Sequence, residues 1–310
     1  MNMSFIKVVL KKSIPSSWKS TLIARIEKQK NTVFLKQLQS NIIKYYDAKQ
    51  VISVDEREVI EYLKKNAITV FPYDFQEKYD KESIPVFLDS INKLRYVMHD
   101  NKKLYFKRSY SENKIKSLYH GLLLDQDKQS PHLYLTERFA LDAKDVIADI
   151  GAAEGNFSLA NVEKVKKIYL FECDDEWIEA LEATFNPWKD KVEICNKFVS
   201  NTDSVNCITL DNFTKTHPDI SFLKVDIEGE EGNFLEGSQS FLHSKSPLKI
   251  AICTYHKEED QEVFTAILKE NHFEVETSTG FMIFIHDTKI KAPFLRRGLL
   301  RAQKKTASYD

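Results

Sequence analysis

Apolar positions along this chain recur with two different periods, and the change from one to the other falls near residue 145. Residues 1–66 are polar and helical in spacing. Within them Ser53 and Glu56 form an S-x-x-E capping box ahead of Val59, Ile60 and Leu63, which satisfies free amides at a helix start. AITVFPYDF follows, then LRYVMHDNKKLYFKR, whose β-branched and aromatic runs around Asp100 and Asn101 predict a hairpin. Ile115, Leu118, Tyr119 and Leu122 share one helix face, which Gly121 and the polar run DQDKQSPH are expected to terminate.

From residue 145 the rhythm becomes strand, helix, strand, helix, the pattern of a parallel sheet with helices on both faces. Strands are legible at DVIADI, KIYLFE, VEICNKFV, ISFLKVDI and LKIAICTY. Amphipathic helices carry Trp177, Ile178, Leu181 and Phe185, and then Val263, Phe264, Ile267 and Leu268. ETSTGFMIFIH is expected to close the sheet with an antiparallel hairpin at its edge. The expected organisation is a helical extension (1–66), an α+β lead-in (67–132), the sheet domain (133–288) and a basic tail (289–310).

Composition narrows the function classes. With 42% hydrophobic and 29% charged residues the chain is ordinary for a globular protein. A net charge of −1 argues against a nucleic-acid partner, because neutralising phosphates needs a basic surplus. The four cysteines, Cys173, Cys195, Cys207 and Cys253, form no CxxC pair, so inert thiols in a reducing compartment are expected. MNMSFIKVVLKK is a poor signal peptide, and no apolar run approaches the roughly 20 residues of a membrane span, so a cytoplasmic location is expected.

The chain has only eight glycines, and Gly151, Gly155, Gly229, Gly232 and Gly237 lie in two short stretches after predicted strands. The first stretch is VIADIGAAEGNFSL. It is no P-loop, since G-x-x-x-x-G-K-[ST] is absent, and it lacks the third glycine of a dinucleotide fingerprint. What remains is D-x-G-x-x-x-G, through Asp149, Gly151 and Gly155. That pattern suits a ligand with an ammonium and a ribose but no phosphate. Glu172, ending KIYLFE, is placed to accept hydrogen bonds from ribose hydroxyls. The ligand these residues imply is S-adenosylmethionine.

The segments DIGAAEGNFSL, YLFECDDEW, ITLDNF and FLKVDIEGEE, in this order, resemble the FkbM family of S-adenosylmethionine-dependent methyltransferases. The last is the most specific: Asp226, Glu228, Gly229 and Glu231 match D-x-E-G-x-E. The resemblance covers roughly residues 125–290 and leaves the helical first third unexplained. It implies a class I methyltransferase fold, a Rossmann-like seven-stranded, mostly parallel sheet with an antiparallel edge strand. It also implies methylation of a hydroxyl, often on a sugar or polyketide, in many members within surface-polysaccharide pathways. Carried over by position, Asp149, Gly151, Gly155 and Glu172 would hold the donor, Asn156 its amino-acid end, and Asn196 and Phe198 would border the adenine.

Residues i, i+2 and i+4 of a strand face the same way, so Lys224, Asp226 and Glu228 form a polar row at the crevice end of FLKVDIE. His256, after the next strand, has the side chain best matched to taking a proton near neutral pH, with Asp226 orienting it or the acceptor. Asp226, Glu228, His256 and Asp260 are also oxygen and imidazole donors suited to Mg²⁺ or Ca²⁺, but they show no recognised metal spacing and no metal is expected. His132 is placed as part of a lid, and Asp125-Gln-Asp127 resembles a D-x-D motif in the wrong context. Two competing readings stand beside a methyltransferase: a nicotinamide-dependent sugar oxidoreductase, and a non-catalytic scaffold. Basic residues in 1–30 and in the tail predict weak, salt-sensitive contact with anionic membranes, fitting a lipid-linked glycan acceptor.

Overall fold

The computed structural model describes residues 16–245 and 247–304, with 16–28 described by backbone alone. Helix α1 (Ser16–Asp47) packs on α2 (Val54–Lys65). The capping box forms as expected: the Glu56 amide donates to Ser53 Oγ, and the Ser53 amide to Glu56 Oε2. Strand β1 (Phe87–Leu88) pairs with β2 (Arg95–His99), which turns into β3 (Lys102–Tyr105). Asp100 and Asn101 both have positive φ (48° and 62°), the conformation a two-residue hairpin turn demands. Helix α3 (Glu112–Asp125) is capped by Ser111 and runs through Gly121, which meets no obstacle and ends nothing.

The central sheet is built from β4 (Val146–Ile150), β5 (Lys167–Glu172), β6 (Val192–Asn196), β9 (Phe222–Val225), β10 (Leu248–Cys253), β11 (Glu274–Thr277) and β12 (Leu299–Lys304). Short strands β7 (Phe198–Val199) and β8 (Cys207–Ile208) form a separate pair. The order is β6-β5-β4-β9-β10-β12-β11, parallel except for β12, which runs antiparallel to both neighbours. This is the class I methyltransferase sheet. Strand order reverses at β4, so the carboxyl ends of β4 and β9 open a crevice there.

Two expectations need correction. The antiparallel element expected at the sheet edge is present as the β11–β12 pair, but its antiparallel strand, β12, comes from residues read as a basic tail. Leu299, Leu300 and Ala302 are fully buried, and Arg301 points inward to donate to the carbonyls of Leu133 and Tyr134. A count of cations concealed a core strand. The apolar run of ETSTGFMIFIH makes no hairpin of its own. Gly280 (φ 75°) turns the chain away after β11, and the Ile283 amide donates to Val70 O.

That excursion explains the first third of the chain. Met282, Ile283 and Leu295 share a hydrophobic core with Ile42, Tyr46, Val59, Leu63 and Phe71, while two further cores flank the sheet. Arg297 clamps the junction through Asp55 at 2.6 Å. The helical extension is therefore seated on the loop between β11 and β12, and a boundary at 288/289 cuts through one packed unit. No helix among the described residues is long and apolar enough to cross a membrane.

Candidate active site

The crevice after β4 holds a cavity of about 640 Å³. Gly151 makes it possible. Its φ is +77°, and a Cβ there would stand 2.0 Å from Asp226 O, so no other residue fits between the β4 and β9 turns. Gly155 (φ +77°) is required for a different reason, since a Cβ would meet Leu181 and Phe185 of α5 (Asp175–Phe185) at 2.8 Å. The turn opens into α4 (Asn156–Asn161), and Asn156 lines the cavity beside Glu172 and Phe198.

Glu172 braces the site as well as facing it. Its Oε1 accepts from the amides of Cys173 and Asp174 (2.8 and 2.9 Å), and its Oε2 from Ala153 (3.0 Å), itself at φ 47°. One carboxylate thus ties the two turns that form the cavity floor. Asp149 behaves differently from expectation. It is fully buried below the turn, with Lys224 Nζ 3.1 Å from Oδ1 and Ser158 Oγ donating to Oδ2 at 2.7 Å. Lys224 also donates to Gly151 O at 2.6 Å. Asp149 therefore anchors the turn through Lys224 and does not reach a ligand directly. The carboxyl at this turn that lines the cavity is Glu154, whose pKa burial raises to about 7. Asn196 pairs with Glu172 in the sheet but stays off the cavity, whereas the exposed Phe198 ring borders it.

Strand β9 stops at Val225, so the polar row ends one residue later than the strand. Asp226 faces the crevice. Glu228 (φ 55°) and Gly229 (φ 96°) then both turn left-handed, which carries Glu228 off the strand face and into solvent. Asp226 Oδ2 accepts from Tyr134 Oη at 2.9 Å and Oδ1 from Tyr255 Oη at 3.2 Å. His132 Nε2 lies 3.6 Å from Oδ2, and His256 Nε2 lies 3.8 Å from Oδ1. Burial opposes ionisation of Asp226, but His132, Lys224 and His256 outweigh it and hold the carboxyl well below the usual range.

His256 is brought to Asp226 but not to the cavity. It is 8% exposed, with Glu231 Oε1 3.1 Å from Nδ1 and the Phe284 and Tyr255 rings against it. Burial would lower its pKa, yet Glu231, Asp226 and Glu228 raise it. This enclosure suits a group that positions Asp226 better than one that meets a substrate hydroxyl. Glu231 is fully buried, and its Oε1 accepts the Ile227 amide at 2.9 Å. Asp260 turns to the Lys257 amide at 2.9 Å.

A second cavity of about 530 Å³ adjoins the first, and the two share Asp125 and Glu228. Phe71, Gln76, Tyr255 and Phe284 form its walls, drawn from the amino-terminal part, the end of β10 and the β11–β12 excursion. Asp125, at the end of α3, has its pKa pushed up to about 6 by burial, with Asp226 adding to the effect. Sequence reasoning missed Asp125, Tyr134 and Glu154 as site residues. The only available signal was the acid of DQDKQSPH, since nothing in spacing says that a helix end before the sheet returns to the crevice.

Residues 179–276 match the methyltransferase FkbM domain family. The span takes in DIEGEE with Asp226, Tyr255 and His256, while His132, Tyr134, the glycine turn and Glu172 precede it. Together with the sheet topology this gives the chain a class I methyltransferase fold carrying an FkbM-type domain match. Within that class its resemblance is to the FkbM family. Among solved structures, the FkbM methyltransferase from Methylobacillus flagellatus is similar at 15% identity and TM-score 0.42, with 63% of this chain and 56% of that chain covered. A putative transferase from Pyrococcus horikoshii is similar at 13% identity and TM-score 0.43, covering 87% and 100%. TYW2 from M. jannaschii, solved in complex with AdoMet, is similar at 14% and 0.37, covering 74% and 89%. No curated protein matches the chain.

Proposed function

We propose that the protein is an S-adenosylmethionine-dependent O-methyltransferase acting on a hydroxyl of a saccharide or surface-glycan intermediate, free or lipid-linked. The observation that carries this reading is the pair of adjoining cavities meeting at Asp125 and Glu228, with Asp226 in the wall of the first. The first fits the donor. Gly151 clears backbone space, Glu172 offers a carboxylate to ribose hydroxyls, Phe198 offers an aromatic face, and Glu154 offers a counter-charge for a cation. When bound, the donor supplies an activated methyl group. The protein's own tasks are then to align the acceptor and take its proton.

The second cavity supports a sugar-like acceptor. Phe71, Tyr255 and Phe284 present apolar faces, and Gln76, Asp125 and Glu228 present groups that bond hydroxyls. Asp125 faces both cavities, and a pKa near 6 leaves it ionised at neutral pH yet basic enough to accept a proton. Asp226, fixed by Tyr134 and Tyr255, orients the hydroxyl. A lipid-linked acceptor agrees with the basic surplus of residues 1–30. At the other end Arg296, Arg297, Arg301 and Lys304 are committed to internal partners, which leaves the exposed Lys289 and Lys291 and the amino-terminal segment to meet an anionic leaflet.

Calorimetry with S-adenosylhomocysteine and with NAD, followed by a methyl-transfer screen over glycan precursors, tests the reading. Binding of the first alone and transfer to a sugar hydroxyl are the expected results. Binding of NAD alone would point to a sugar oxidoreductase, and binding of neither to a scaffold.

A further inference from the structure

The imidazole of His256 is buried among acceptors. Its Nδ1 stands beside Glu231 Oε1 at 3.1 Å, while Nε2 faces Asp226 Oδ1 at 3.8 Å and Glu228 Oε2 at 3.7 Å. Neither ring nitrogen makes a hydrogen bond of good geometry, and the second oxygen of Glu231 is also without a partner. Ligand atoms of Asp226, Glu231 and His256 lie within 4.8 Å of one another. Buried polar atoms are rarely left unpaired, because each costs about 1–3 kcal/mol. Separations of 3.7–3.8 Å are too long for hydrogen bonds. Measured from Nε2, both exceed by a few tenths of an ångström the roughly 3–3.5 Å between neighbouring donors around a divalent ion with bonds of about 2.1 Å, so the exposed Glu228 arm has to swing inward to close the set.

We propose that His256 Nε2, Asp226 Oδ1 and Glu228 Oε2 bind a divalent first-row transition metal ion, with Glu231 fixing the imidazole from behind. A carboxylate on the far nitrogen of a ligating histidine sets the tautomer and ring orientation, which is the place Glu231 takes. One imidazole with two carboxylates favours ions of the Mn²⁺, Fe²⁺ and Zn²⁺ class over Ca²⁺. Glu228 is the mobile arm: its side chain is 90% exposed and it lines both cavities, so the ion keeps open positions toward them. Read with the proposed function, on which only this role depends, the ion draws the acceptor hydroxyl in and lowers its pKa. The binding itself does not depend on any acceptor.

The test is a titration of chelator-stripped full-length protein with Mn²⁺, following free Mn²⁺ by paramagnetic resonance. One tight site per chain is expected. Glu228→Gln, at an exposed position, should weaken it at least tenfold with an unchanged fold by circular dichroism, and His256→Gln should weaken it further. Absence of Mn²⁺ binding in the wild type overturns the proposal, and so does equal binding in Glu228→Gln. His256 would then be an imidazolium held by three carboxylates. Methyl transfer is not read in this experiment, so failure of the metal site and failure of the methyltransferase reading remain distinguishable.

Discussion

The two cavities are built in opposite ways. The first has a local floor: the β4 turn, the β5 end and the β7 edge follow one another within about fifty residues, and one carboxylate, Glu172, ties two of them with three amide hydrogen bonds, while Asp125, Tyr134 and Asp226 close it from distant segments. The second is assembled from five separate segments, residues 69–76, 121–125, 228, 255 and 282–286, which no short motif links. A donor common to many reactions can be held by a self-contained strand-turn-helix unit. An acceptor pocket that must differ between enzymes is made where separate segments meet, and there each wall can change without disturbing the others.

The strongest way to break this division is near the border, where Asp226 lines the first cavity and accepts from Tyr255 in the wall of the second. Asp226→Asn should lower turnover by roughly 10²–10⁴ while leaving S-adenosylhomocysteine affinity near wild type, as for a positioned acid–base group. A parallel loss of donor affinity in calorimetry would show that the cavities are energetically one. Next in size is the local unit itself. Gly151→Ala places a Cβ 2.0 Å from Asp226 O, and it should cost ~3 kcal/mol of stability in urea melts and abolish donor binding. A stable variant with normal affinity would mean that the turns can part freely. Glu172→Ala comes third, weakening donor binding by about 1.5–3 kcal/mol through lost charge-assisted hydrogen bonds. Here part of the effect should appear as a lower melting temperature without ligand, because three amides lose their acceptor.

The same division governs what the sequence reveals. The placement of the glycine turn, Glu172 and D-x-E-G-x-E at the crevice was legible because their spacing is dictated by one strand entering one helix. The Asp100-Asn101 hairpin and the Ser53 capping box were legible for the same local reason. The role of Asp149 was not, since only the register of β4 against β9 brings Lys224 beneath it. His256 likewise looked like a crevice base, and only packing against Glu231 and Phe284 shows it enclosed. Strand β12 was hidden by composition: Arg296, Arg297 and Arg301 suggested a solvated tail, whereas each bonds inside the fold. Periodicity reports neighbours in sequence, and these features depend on neighbours in space.

The smallest expected effect concerns Glu154, the carboxyl of the first cavity that sequence reasoning passed over. Burial raises its folded pKa from an ordinary 4.5 to about 7. The native state therefore holds this proton more tightly than the unfolded chain does. Between those two values folding takes up a proton, so stability contributed by the neutral acid is present at low pH and is lost as pH rises. Above pH 7 the ionised carboxylate is a standing penalty in the ligand-free protein. Glu154→Gln removes the penalty without changing shape, so it should stabilise the free protein at pH 8 by about 1–3 kcal/mol and leave it unchanged near pH 4. Melting curves of both proteins at the two pH values measure the difference. A cationic donor offsets the same penalty in the wild type, so S-adenosylmethionine should lose affinity in the variant at pH 8 while uncharged nucleosides do not. If the two proteins differ equally at both pH values, Glu154 is not buried as a neutral acid, and the donor's positive charge is met elsewhere in the cavity.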